Sequence, residues 1–231
     1  MNKLCIDCKA QYDSAISLIN VKKGLNISAT QESKKLFTQI YFLNTILNRH
    51  ELKIFFNQDY VPSIKNLLLN IFFNFVTDNY IAVLFELRGV LDEEMNLICS
   101  RYHITLSRRF SENKKMLSQY LSDNGLKSAN FETKLAQFQT QYSEMSGILH
   151  SFSTSRLSMY EYLNDILGSS TPEQVNEVLN KGISTLIYFD IFISSDSLRV
   201  WEKDDIENMF NLIFGAGKTT RTRQQLKNRT F

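Results

Sequence analysis

Turn-forming residues are scarce in this chain. Among 231 residues there are 8 glycines and 2 prolines, against average usage of about 7% and 5%. A fold made of many short strands needs many tight turns, so this shortage argues against an all-β architecture. Cysteine is scarce as well. The three present, Cys5, Cys8 and Cys99, cannot form a disulfide framework, and so small a set fits a reducing compartment. Charge of one sign is not in excess: 26 Lys+Arg face 24 Asp+Glu, a net of +2. A protein that grips nucleic acid with its whole surface is usually far more basic. Long apolar runs are missing too. The longest, 67–76 and 183–193, contain Asn70, Asn74 and Asp190 and fall short of the roughly 20 residues a membrane span needs. The N-terminal MNKLCIDCKAQYD carries no signal-peptide-like apolar run. These features lead to the expectation of a cytoplasmic, non-membrane protein.

What is present is helical periodicity. Leu4, Cys8, Tyr12, Ala15, Ile16 and Ile19 form one apolar stripe, and Leu36, Phe37, Ile40, Leu43, Ile46 and Leu47 a second. Pro62 stands where a first helical turn tolerates it, followed by Ile64, Leu67, Leu68, Ile71, Phe72 and Phe75. Asp78 reads as the N-cap of the next helix, through Tyr80, Ile81, Leu84, Leu87, Leu91, Met95 and Ile98. A shorter helix is expected over 111–122, stopped by Asn124-Gly125. Another begins at Ser128 or Asn130, carries Phe131, Leu135, Phe138, Tyr142, Met145 and Leu149, and meets a Ser-rich break at 151–155. Leu157 to Ile166 continues the pattern. Thr171-Pro172-Glu173-Gln174 combines a capping box with a first-turn proline and opens a helix through Leu186. The β-branched stretch 183–193 is read as buried helix, since no second strand is available to pair with it. A last helix spans about 204–214, closed by Gly215. The expectation is an all-α protein: one multi-helix up-and-down bundle over 1–214, followed by a basic tail over 215–231.

That tail holds Lys218, Arg221, Arg223, Lys227 and Arg229 and no acid, leaving 21 basic against 24 acidic residues, or −3, in the body. It suits an arm that contacts phosphates or an acidic partner, although it lacks aromatic residues on which bases would stack. Gly215-Ala-Gly-Lys-Thr-Thr220 resembles the end of a phosphate-binding loop, but Leu212 stands where the first glycine of that pattern belongs. It reads more simply as a helix end.

Cys5-x-x-Cys8 and Cys99-x-x-x-His103 supply three thiols and an imidazole, chemically suited to a closed zinc site. The competing reading is buried structural cysteine, with no cofactor. Glu86, Arg88, Asp92, Glu93 and Glu94 crowd one helix, where the i,i+4 spacing of Arg88 and Asp92 suits an ion pair. Tyr142, Ser146 and His150 are each four apart and share a helix face close to the apolar stripe. His150 there is either a hydrogen-bonded core residue or part of a polar site. No acidic residue is placed to complete a serine triad with Ser146.

The Arg88-Gly-Val-Leu-Asp92 helix, paired with the later Tyr142…Ser146…His150 face, resembles prokaryotic HEPN-type domains over about 78–156. The resemblance implies an all-α, often oligomeric bundle of toxin–antitoxin or phage-defence type, some of whose members cut RNA. Ribonuclease members carry an arginine four to six residues before a histidine, a spacing found at none of His50, His103 or His150. The leading expectation is therefore a non-catalytic or weakly catalytic interaction protein with a protein partner or a second copy. One alternative is an endoribonuclease with a composite Arg88, His150 and Tyr142 site. The other is a nucleic-acid-binding accessory protein that uses the tail.

Overall fold

A computed structural model of the chain describes residues 3–48, 53–55, 57–125 and 129–154, together with positions 211 and 217. Among the described residues the fold is all-helical, with six helices and no strand. They are α1 (Lys3–Lys23), α2 (Gln31–Leu47), α3 (Tyr60–Val76), α4 (Tyr80–Arg101), α5 (Phe110–Asp123) and α6 (Ala129–Thr154). None is long and apolar enough to cross a membrane.

Side-chain pairings fix the register. Cys8 meets Thr38 while Tyr12 meets Ser33, so α1 and α2 are antiparallel. Phe37 packs on Phe72 and Lys65 reaches Asn48, so α2 and α3 are antiparallel too. Ser63 bonds Glu93 while Phe75 packs on Tyr80, which makes α3–α4 an antiparallel hairpin. The loop 102–109 then doubles back. Asn113 lies beside Asn96 and Tyr120 beside Tyr102, so α5 runs in the same sense as α4. The α6 helix returns against both, with Phe138 and Tyr142 on Phe110 and Glu132 beside Ser118.

The apolar stripes become the core. All six positions of the α2 stripe are buried, and so are Ile64, Leu68, Ile71, Phe72 and Phe75 of α3. Leu67 is only partly buried, and it lies over Gly89 of α4, where a Cβ would stand 3.3 Å from its methyls. On α4, Leu84, Leu87, Leu91, Met95 and Ile98 are buried as their spacing requires.

Two boundaries differ from expectation. Asp78 does not cap α4. It has φ 58° and is the left-handed residue that ends α3, where Asn79 N–H bonds Asn74 O (2.8 Å) and Asp78 N–H bonds Phe75 O (3.3 Å). This is the double bond pattern of a Schellman stop. Asn79 is the cap instead, its side chain accepting from Ala82 N. The α6 helix also runs through Ser151 and Ser153 to Thr154, serine being only modestly less favourable than alanine in a helix. The helices expected beyond 155, the Thr171 capping box, the 183–193 segment and the basic tail lie outside the described residues.

Candidate functional site

Helix α4 projects Arg88 toward α6 rather than along its own axis. Its Nε donates to Ser146 Oγ (3.1 Å) and its Nη2 to Tyr142 Oη (3.1 Å). The guanidinium carbon lies 5.3 Å from the centre of the Tyr142 ring, within cation–π range. The other side of the site is closed by Phe110, stacked on Tyr142 at 4.0 Å and 5°. Phe110 also packs on the fully buried Phe138. One arginine thus joins three helices: α4 supplies the cation, α6 two hydroxyls and a ring, and α5 the stacking partner.

The expected Arg88–Asp92 ion pair does not close to contact distance among the described residues. The guanidinium turns to α6, where two neutral oxygens and a ring receive it in defined geometry, and Asp92 stays one turn away. Burial raises the Asp92 pKa, and the charge of Arg88 draws it part of the way back. Because Ser146 and Tyr142 use lone pairs to accept from Arg88, their own hydroxyl protons remain available for donation. The arrangement therefore offers a fixed cation with flanking hydroxyls, chemistry suited to an anionic oxygen.

The other carboxylates of α4 point elsewhere. Glu93 accepts from Ser63 (3.1 Å). Glu86 takes a hydrogen bond from Asn70 of α3, though burial still raises its pKa. Glu94 is completely buried, which the crowding of acids concealed. The signal was its place in phase with Leu87, Leu91 and Ile98 on the apolar stripe. The acidic cluster therefore spreads around the helix and forms no shared acid–base pair.

Position 150 lies one turn beyond Ser146 on α6. The expectation for the His150 side chain lies outside the described residues, as do those for Lys218, Arg221, Arg223, Lys227 and Arg229. No family model, no curated protein and no solved structure matches this chain.

The four-ligand zinc set does not assemble. No group of three or more His, Cys, Asp or Glu side chains close enough to hold a metal ion occurs among the described residues. Cys99 is buried on α4, its thiol facing Asn113 O (3.7 Å), and burial pushes its pKa up to about 12. His103 ends α4 in a left-handed conformation (φ 56°), with His103 N–H on Ser100 O and Ile104 N–H on Cys99 O. Cys5 and Cys8 lie on α1 against α2, so the two halves of the set belong to different places in the fold.

Proposed function

We propose that the chain is a non-catalytic or weakly catalytic helical interaction protein of a prokaryotic defence or toxin–antitoxin-like assembly, acting in the cytoplasm through the exposed face of α4 around Phe85. The observation that carries this reading is the exposure of Phe85 on α4. Phe85 is 51% exposed and stands one turn from Arg88 on the same stripe. An exposed aromatic ring is a residue type enriched at protein interfaces. The class of assembly rests on the HEPN-type resemblance, which is an analogy. Its support is that the two segments carrying the resemblance meet at Arg88, Tyr142 and Ser146.

The test is the native mass of protein purified gently from its host. The expected mass exceeds one chain by a second copy or another polypeptide. Phe85→Asp should return it to a single chain with its helical circular dichroism unchanged. A wild-type chain that remains bare at micromolar concentration overturns the reading.

A second reading is an endoribonuclease with Arg88, Tyr142 and His150 at its centre. It is favoured by the proximity of Arg88 to the α6 turn that precedes position 150. In that reaction the guanidinium would neutralise the phosphodiester, and an imidazole would move the proton of the attacking hydroxyl. Purified wild type should then cut RNA, while folded His150→Ala and Arg88→Ala should not. RNA left intact by wild type removes this reading without touching the first.

A further inference from the structure

Helices α5 and α6 leave a polar groove of about 440 Å³ between them, within the size range of small-molecule sites. Its lining changes character along its length, with Lys114 and Lys115 toward the start of α5 and Glu132 toward its end. We propose that this groove binds a phosphorylated sugar, with the phosphate at the lysine end and the sugar hydroxyls at the Glu132 end.

The register of the two helices sets this polarity. Ser118 of α5 donates to Glu132 of α6 (3.0 Å), whereas Phe110 packs on Phe138 and Tyr142. Gln139 of the lining therefore lies toward the start of α5, and Glu132 toward its end. Arg108 and Arg109 extend the cationic end. Glu112, the one acid in 108–115, is engaged by Arg109 (3.4 Å) and Ser107. Four basic residues against one acid leave +3 in that segment. At the far end Asp123 accepts from Gln119 Nε2 (2.7 Å) and, with Glu132, makes −2.

A groove of this polarity discriminates among anions. A nucleic-acid strand repeats its negative charge at every nucleotide and would set phosphates against Glu132 and Asp123. No aromatic side chain lines the groove, so a base finds no surface on which to stack. A sugar phosphate carries one anionic group beside several hydroxyls. The lysine ammonium groups donate to the phosphate. The Glu132 carboxylate and the amide oxygen of Gln119, whose amide nitrogen is held by Asp123, are acceptors for the hydroxyls. Lys114 and Ser118 are one helical turn apart, roughly 5–6 Å, a separation that the phosphate and ring of one molecule span.

The experiment titrates the full chain, labelled with nitrogen-15, with ribose 5-phosphate, ribose and inorganic phosphate, and follows the amide shifts of 111–122. Ribose 5-phosphate is expected to move these amides and to bind about tenfold more tightly than either fragment. Lys115→Ala, at an exposed position, and Lys114→Ala should each weaken ribose 5-phosphate about tenfold, the worth of one charge-assisted hydrogen bond, and leave ribose unchanged. Glu132→Gln should reduce ribose 5-phosphate to the level of inorganic phosphate without weakening phosphate itself. Lys9→Ala on α1 should bind as wild type does. Amides that stay unmoved by millimolar ribose 5-phosphate overturn the site. So does inorganic phosphate binding as tightly as the sugar phosphate, or a short RNA binding the same amides more tightly than either.

Discussion

His103 is a left-handed residue with a full side chain, at a helix end where glycine is the usual occupant. L-residues are disfavoured there by roughly 1–2 kcal/mol, and glycine gives back part of that as lost chain entropy. His103→Gly is therefore expected to stabilise the protein by about 0.5–1 kcal/mol, read as a higher urea midpoint. A lower midpoint would mean that the imidazole makes a stabilising contact that glycine loses. Asp92 makes the opposite kind of statement. Burial raises its pKa more than Arg88 lowers it, so the native state holds that proton more tightly than the unfolded chain does. Its contribution is greatest below the unfolded value and is lost as pH rises through the folded one. Asp92→Asn should thus melt above wild type at pH 7, with the gap closing toward pH 3. A variant that melts lower at pH 7 would show that the attraction to Arg88 outweighs burial.

Helix α2 starts with a cap that had no signature in the sequence. Thr30 Oγ1 accepts from Ser33 N (3.0 Å), and Ser33 Oγ accepts from Thr30 N (3.2 Å). The usual box has Glu or Gln in the second place, and here Ser33 takes that role. Ser33 Oγ also meets Tyr12 Oη at 2.7 Å in a buried bond that ties α1 to this cap. Thr30→Ala should cost about 1 kcal/mol, the typical worth of a cap. Ser33→Ala should cost more, because it also strands the Tyr12 hydroxyl at about 1–3 kcal/mol. Equal losses in denaturant melts would mean the Tyr12 bond adds nothing. Elements whose information is local were legible in the sequence: every position of the α2 stripe is buried, and every position of the α3 stripe except Leu67. Asp78 misled because a cap and a left-handed helix stop favour the same small polar residues. At the site, Tyr142 and Ser146 share a face by spacing alone. The reach of Arg88 to them spans 58 residues of chain and depends on how α4 and α6 are brought together, which no local pattern encodes.

Across the whole molecule, burial is unevenly shared. The α3–α4 hairpin is lined by side chains with essentially no exposure, among them Ile64, Ile71, Val90, Leu91 and Met95. The α1 helix gives the core only Cys8, Tyr12 and Ile16, and leaves Leu18 and Val21 58% and 77% exposed. Its attachment centres on Tyr12, whose ring meets Phe37 and Phe72 edge-on at 5.6 and 6.1 Å. Opening free energies in a native protein follow such differences, with sparsely packed elements releasing before the core unfolds. Amide hydrogen exchange should therefore run fastest in α1 and slowest in α3 and α4. Tyr12→Ala removes most of what holds α1, at a cost of about 3–5 kcal/mol for a buried aromatic. That cost should appear as lost protection in α1, with the α3–α4 amides still exchanging at the wild-type rate. If α1 and α4 instead exchange together in wild type, and Tyr12→Ala speeds both equally, the helices unfold as one unit. Leu18 and Val21 would then lie on a surface as cooperative as the core beneath it.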